Sequence, residues 1–310
     1  MEEKIEIMNL LQSKQVLEHE LQSLAYGSVE IRENESNKYI YVHYREDGVA
    51  LTKYVGEYSD ELYNLVLNNS IKAKQLKRQI REITKKLKQM NYTEEEISEK
   101  VERNIDFAKR NLVDTIYKQA VLEGVATTFA DTESIIEGGK VNNMTSEDIL
   151  KIVNLKHAWE FILNKNVILS DTNFALLCEI NKMVEEGFYY TAGKVRNTPV
   201  TIGGTTWKPD LPIESVIKEE LEEIFNKELD DIDRAIELLL YTMKKQVFID
   251  GNKRTAVIYS NHYLISKGKG IIAIPAELTE EFKDLLIPYY EGRDEKEIKK
   301  FIKEKCYMSI

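Results

Sequence analysis

The stretch QVFIDGNKRTA, from Gln246 to Ala256, gathers residue types that handle phosphate. A helix that starts just after a glycine presents free backbone N–H groups and the positive end of its dipole, a ready anion site. Gly251 and Asn252 stand at such a start, and Lys253 and Arg254 add positive charge. Asp250 suits a Mg2+ ion that bridges phosphate oxygens. This chemistry points to a nucleotide. Gln246 carries an amide that does not titrate near neutral pH, so it is no general base. An ordinary Asp-Gly turn at Asp250-Gly251 is the alternative reading of the same residues.

The flanking pattern must position this loop. Upstream, Ile232, Ala235, Ile236, Leu238, Leu239, Leu240 and Met243 recur at helical spacing. Downstream, Ala256, Val257, Ile258, Tyr259, Leu264 and Ile265 do the same until Gly268 and Gly270. The pattern predicts helix, loop, helix, with Phe248 as an apolar anchor inside the loop.

The loop resembles the signature of the Fic (Fido) family, HxFx(D/E)GNGRxxR. Phe248, Asp250, Gly251, Asn252 and Arg254 match position by position, and Lys253 replaces the second glycine as in the NKRT-type loops of the Doc toxins. Gln246 stands at the catalytic His and Val257 at the final Arg. The segment TESIIEGG is similar to the family's inhibitory [ST]xxxE[GN] sequence at Glu137 and Gly138. The segment from Gly193 to Pro209 is similar to the flap that aligns a target, and the tail from Ile274 to Ile302 to the family's last helices. The likeness covers roughly residues 110 to 305 in pieces.

The resemblance implies a mainly α fold: a Fic helical core with a small β-hairpin flap, carrying an N-terminal helix and β-hairpin extension. It also implies ATP and Mg2+. Asp250 would hold the metal; Gly251, Asn252 and Arg254 would bind phosphate, with Lys253 secondary and Glu137 as a gate. The implied activity is AMP transfer from ATP to a protein hydroxyl, or a weakened or altered descendant of it. Loss of a positioned general base lowers a rate on the order of 10²- to 10⁴-fold, while phosphate binding by the loop is untouched. An inactive, nucleotide-sensing pseudoenzyme, or a partner- or nucleic-acid-binding module, is therefore the alternative.

No other histidine reads as a substitute for the missing base. His262 falls ten residues beyond Asn252 on the predicted helix, roughly 15 Å along its axis. His157 lies in the amphipathic run from Ile152 to Leu163, where a boundary or core role is expected. Glu137, with Val257 in the place of its family partner, has Arg254 as an alternative partner, or else ends a helix before a glycine cap. Trp207 and Tyr190 are candidates for lining the target groove, or for packing.

Composition agrees with a soluble globular protein. In 310 residues, 43% are hydrophobic and 31% charged, with a net charge of −10 that offers no general attraction to nucleic acid or acidic membranes. Cys178 and Cys306 show no metal or redox spacing. No run reaches the about 20 apolar residues of a membrane span, and the start MEEKIEIMNLL lacks a secretory h-region, so a cytoplasmic location is expected.

We expect an N-terminal extension over residues 1–110 and a Fic domain over 111–310. The extension reads as an amphipathic helix, Met1 to Leu24, marked by Ile5, Leu10, Leu11, Leu17 and Leu21. Three strands follow, at Val29 to Ile31, Lys38 to Tyr44 and Val49 to Val55, with a turn at Glu46-Asp47-Gly48. A long helix then runs from about Asp60 to Met90, and a capping box, Thr93 with Glu96, opens a helix running toward Tyr117. Lys72 to Lys88 is strongly basic. With the tyrosines, Arg45 and Lys53 it is a candidate nucleic-acid surface; the regular seam of Leu76, Ile80, Ile83 and Leu87 favours a helix pair with a solvated basic flank. An unidentified target protein is the implied partner, and homo-oligomer formation is compatible with the chain.

Overall fold

The structure is a computed structural model that describes residues 2–34, 37–46, 49–90, 92, 97–142 and 144–310. The chain divides into two units, Met1–Thr93 and Glu94–Ile310.

In the first unit, helix α1 (Glu2–Ser23) precedes strands β1 (Ser28–Asn34), β2 (Asn37–Glu46) and β3 (Val49–Glu57), then helix α2 (Asp60–Gln89). The strands form one antiparallel sheet in the order β1-β2-β3. Period-two alternation buries Ile40 and Val42 against Val66 of α2. Tyr41 and Tyr54 pair on the other face, with Arg32 over Tyr41 at 4.5 Å. Ser59 caps α2, its Oγ accepting from Leu62 N at 3.1 Å.

Helices α1 and α2 pack together. Leu76 and Leu87 of the seam are buried and Ile80 and Ile83 half-buried, which accounts for the apolar spacing. Several cations of the basic flank are partnered inside the unit: Lys72 with Glu20 at 2.5 Å, Arg78 with Glu82 at 3.0 Å, and Lys77 over the Tyr26 ring at 4.6 Å. Asp47 and Gly48 of the expected turn lie outside the described residues, as do Thr93 and Glu96 of the expected capping box and the side chains of Ile5 and Arg45.

The second unit starts with α3 (Glu99–Arg110), capped by Ser98, and α4 (Leu112–Leu122). The sequence pattern predicts one run here, but Asn111 departs from helical angles at φ −98°, ψ 8°, and its Nδ2 donates to Phe107 O at 2.8 Å. Then come α5 (Phe129–Ile136), α6 (Ser146–Ile162), α7 (Lys165–Ile168) and α8 (Phe174–Val184). An irregular segment leads to α9 (Glu214–Asn226), α10 (Asp231–Lys245), α11 (Asn252–Ser266), α12 (Thr279–Tyr290) and α13 (Lys296–Phe301). Two short strands, β4 (Ile271–Ile272) and β5 (Tyr307–Met308), pair antiparallel. The whole is mainly helical.

Helix α11 is the centre of this unit. All residues from Arg254 to Ile265 are buried, as expected for a helix that is packed on every side. It touches α3, α6, α7, α8 and α10. Asn261 fastens its far end, donating from Nδ2 to Ile272 O and accepting Ile272 N at Oδ1, both at 2.8 Å. The start of α11 is thereby held by the core rather than by its own cap. Among the described residues, no helix is long and apolar enough to cross a membrane.

Candidate functional site

The loop between α10 and α11 is helix–loop–helix, as the flanking periodicity predicts, and no strand forms there. Helix α10 ends at Gln246 in the left-handed region (φ 48°), the lone non-glycine residue with positive φ among the described residues. Such a conformation costs on the order of 1 kcal/mol and is held by its surroundings. Here Gln246 Nε2 donates to Met243 O at 2.7 Å, and Oε1 accepts from Asn252 Nδ2 at 3.2 Å. Both ends of the amide are committed. Asn252 closes the loop further, with Phe248 N donating to its Oδ1 at 3.0 Å and its Nδ2 donating to Phe248 O at 2.9 Å.

Gly251, at φ 72°, precedes the first turn of α11, which has no side-chain cap. The first N–H groups of such a helix lack an intrahelical acceptor. A Cβ at position 251 would strike the Glu185 carboxylate, so the glycine serves both backbone angle and close approach. Two buried amides hold the cradle. Asn181 Nδ2 donates to Asp250 O at 3.0 Å and Thr255 Oγ1 at 3.1 Å. Gln119 Nε2 donates to Arg254 O at 2.7 Å while its Oε1 accepts Trp159 Nε1 at 2.9 Å.

Arg254 has a side chain only 3% exposed, surrounded by three carboxylates. Its Nη2 lies 2.7 Å from Glu185 Oε1 and 3.7 Å from Asp250 Oδ2, and its Nε lies 3.7 Å from Glu123 Oε2. Lys253 Nζ stands 3.4 Å from Glu123 Oε1. Arg254 Nε and Nη1 and both Glu185 oxygens are buried without a hydrogen bond. Buried polar groups are normally satisfied, so these four unpartnered atoms stand out. Burial pushes the Glu185 carboxyl up to about 7; Arg254 pulls it down, and the charges of Asp250 and Glu123 push it up again.

Asp250 differs from the two glutamates. Half of its side chain is exposed, and Oδ1 accepts Gly251 N–H at 2.7 Å. One solvent-facing carboxylate beside an uncapped helix start fits Mg2+, which keeps waters and phosphate oxygens as most of its ligands. Among the described residues no group of three or more His, Cys, Asp or Glu side chains is arranged to hold a metal by itself.

Nothing in the sequence singles out Glu123, Glu185, Asn181 or Gln119. Each caps or lies within a helix whose local pattern is ordinary, and they meet only through packing of α4 and α8 around α11. Arg196 is also unmarked, inside the flap-like segment. Its guanidinium, 3% exposed, donates from Nε to Gln246 O at 2.6 Å, from Nη1 to Thr198 O at 2.8 Å and from Nη2 to Asp210 O at 2.6 Å. Its own N–H donates to Val247 O at 2.9 Å. Burial draws its pKa down.

The segment from Gly193 to Pro209 is irregular instead of a strand hairpin. Pro199 and Pro209 lack N–H groups for a ladder, and Arg196 takes the carbonyls at either end. Arg196→Ala is expected to lower unfolding stability by about 2 kcal/mol, since three part-buried carbonyls lose a charged donor. Arg196→Lys restores little, because one ammonium cannot span them. Urea unfolding of both variants, with proteolysis between 197 and 212, checks this.

Other expected residues fall elsewhere. Glu137 is exposed at the end of α5, followed by Gly138 at φ 78°, the glycine-capped helix end; its side chain makes no ion pair among the described residues. Val257 is 1% exposed in the core face of α11. His262 is buried, bridging Thr172 Oγ1 at 2.8 Å and Val167 O at 2.9 Å, and burial lowers its pKa to about 4, so it is a structural neutral histidine. His157 is half-buried. Trp207 stacks on Tyr290 at 5.7 Å, while Tyr190 is fully exposed. Cys178 and Cys306 are free.

Residues 171–264 match the profile of the Fic/DOC family. The fold is similar to Fic-1 (residues 134–508) from C. elegans, with TM-score 0.53, 18% identity, 79% of this chain covered and 73% of that one. It is similar to a Fic domain containing signaling protein from Bacteroides thetaiotaomicron VPI-5482, with TM-score 0.51, 18% identity and coverage of 61% and 75%. A Fic family protein from Desulfovibrio desulfuricans G20 gives TM-score 0.52, 14% identity and coverage of 67% and 72%. At these identities the likeness is one of fold. No curated protein matches the chain.

Proposed function

From the match of residues 171–264 to the Fic/DOC family model and the geometry of the loop, we propose that the chain binds the phosphates of ATP at the start of α11. We further propose that its AMP transfer to a protein hydroxyl is slow or altered. The observation that carries this reading is the uncapped, glycine-led helix start with a buried guanidinium whose Nε and Nη1 lack partners. Asn252 and Lys253 supply backbone N–H groups, Arg254 supplies fixed charge, and Asp250, whose Oδ1 takes Gly251 N–H, would hold Mg2+, which neutralises phosphate charge when bound. Positioning and charge neutralisation dominate this kind of transfer. Those parts are present in the loop.

What is lacking is a base. Gln246 does not titrate near neutral pH, and its amide is engaged in the loop's own hydrogen bonds, Oε1 accepting Asn252 Nδ2 and Nε2 donating to Met243 O. That commitment favours a second reading, a Fic-type pseudoenzyme that senses nucleotide without turnover. The two share the binding step and differ in chemistry.

Calorimetric titration with ATP and Mg2+ tests the shared step. Wild type is expected to bind at micromolar to submillimolar levels, with Arg254→Ala and Asp250→Ala each weakening binding on the order of tenfold or more, as for lost charged contacts. Unchanged affinity in both variants would remove ATP from this loop. Labelling of a protein hydroxyl from ATP then separates slow transferase from sensor.

A further inference from the structure

Away from the phosphate loop, a cavity of about 270 Å³ opens between the irregular segment and helices α9, α10 and α12. Trp207 and Leu211 come from the segment, Glu220 from α9, Tyr241 and Lys244 from α10, and Tyr289 from α12. Its walls are fixed without a ligand. Trp207 stacks on Tyr290 with the ring planes 18° apart, and Tyr241 Oη donates to Glu220 Oε2 at 2.7 Å. Arg196 holds the adjoining Asp210 carbonyl.

The charges inside are unevenly matched. Lys245 is neutralised by Glu220 at 2.5 Å. Lys244 is not: Nζ donates to Tyr289 O at 2.9 Å, and among the described residues no carboxylate lies within ion-pair distance of it. Asp210, the cavity's other carboxylate, belongs to an exposed residue. Glu295 acts on Lys244 only from further away, and burial draws the ammonium's pKa down. The faces of Tyr289 and Trp207 flank Nζ at 4.9 and 6.0 Å. A half-buried ammonium without a counter-ion is unfavourable, and an anion entering beside it offsets that loss. The flat apolar rings beside it select a flat apolar body.

From this juxtaposition we propose that the cavity is a binding site for a small aromatic carboxylate, its carboxylate on Lys244 and its ring against Trp207. Pockets for drug-sized ligands run from about 300 to 1,000 Å³, so this one holds a single ring. None of its lining residues belongs to the phosphate loop from Asp250 to Arg254.

Tryptophan fluorescence of the full chain provides the test. Trp159 is buried at 1% exposure, so a ligand-dependent change reports on Trp207. Benzoate is expected to give a saturable change with Kd of roughly 1 mM or tighter, a level in keeping with a nine-atom ligand. Benzamide, without charge, and acetate, without a ring, are expected to bind at least tenfold more weakly. Lys244→Met keeps the apolar stem and should weaken benzoate at least tenfold, with circular dichroism confirming the fold. In Lys244→Arg the charge is kept, and binding should survive within a few-fold even if the methionine variant misfolds. Equal affinity for benzamide and benzoate, no saturation by 10-fold above that Kd, or loss in Lys244→Arg with the fold intact would overturn the proposal.

Discussion

A Gln246→His variant is expected to raise transfer of label from ATP to a protein hydroxyl by on the order of 10²-fold or more over wild type, the contribution of a positioned general base. The expectation rests on where Gln246 stands. Its Nε2 reaches Met243 O at 2.7 Å, and the same carbonyl can take the N–H of an imidazole and so set its tautomer. The other ring nitrogen is then an acceptor at the mouth of the α10–α11 loop. Asn252, released from Gln246 Oε1, keeps its two bonds to Phe248, so the loop itself should persist. Radiolabel from α-labelled ATP, followed in wild type, Gln246→His and Gln246→His with Arg254→Ala, provides the measurement. A gain that disappears in the double variant supports a weakened transferase using this loop. No gain, with ATP affinity unchanged, favours the nucleotide sensor.

The second large effect concerns Glu185. Its carboxylate, 2% exposed, fills the space against Gly251 and Arg254 in which a phosphate would have to lie. Groups facing it are Glu123 at the end of α4, Asp250 in the loop, Arg254 on α11 and Lys151 on α6. With its carboxyl raised to about 7 from an ordinary 4.5, the folded chain holds this proton more tightly than the unfolded chain between those values. Stability from this group is therefore complete below pH 4.5 and is lost as pH rises through 7. Glu185→Gln should flatten that slope and gain stability relative to wild type at pH 8.

The same titration bears on binding. Above pH 7 the charged carboxylate competes with phosphate for Arg254, and below it the neutral acid does so weakly. If only the protonated form admits phosphate, apparent affinity changes about tenfold between pH 6 and 8. Comparing ATP affinity in wild type and Glu185→Gln at each pH cancels the titration of ATP itself. The expected ratio favours the variant by about tenfold at pH 8 and approaches unity at pH 6. A ratio independent of pH would mean that Glu185 does not occupy the anion position.

These two predictions divide what was legible in the sequence from what was not. Local rules are enough for the α10–α11 loop: apolar spacing set both helices, glycine permits the φ of 72° at Gly251, and Asn252 is the amide that closes the turn. The three strands, the Ser28 to Glu57 meander, follow from period two, and the 30-residue α2 from its seam. Gln246 and Val257 were readable as departures because position in a motif is itself a sequence property.

Tertiary structure decided the rest, because it joins residues with no sequence relation. Glu185 and Glu123 reach Arg254 from 69 and 131 positions away, and nothing in EEG or LEG foretells a buried carboxylate. Arg196 in a glycine- and proline-bearing segment reads as an exposed cation, yet it is the pin that ties that segment to Gln246 across 50 residues. Glu137 illustrates the reverse: its motif draws attention, while packing leaves it exposed on a helix end. Spacing records what one element can present to a neighbour. Which charges share a buried volume, and hence which must titrate or yield to a ligand, is set only when the helices close around α11.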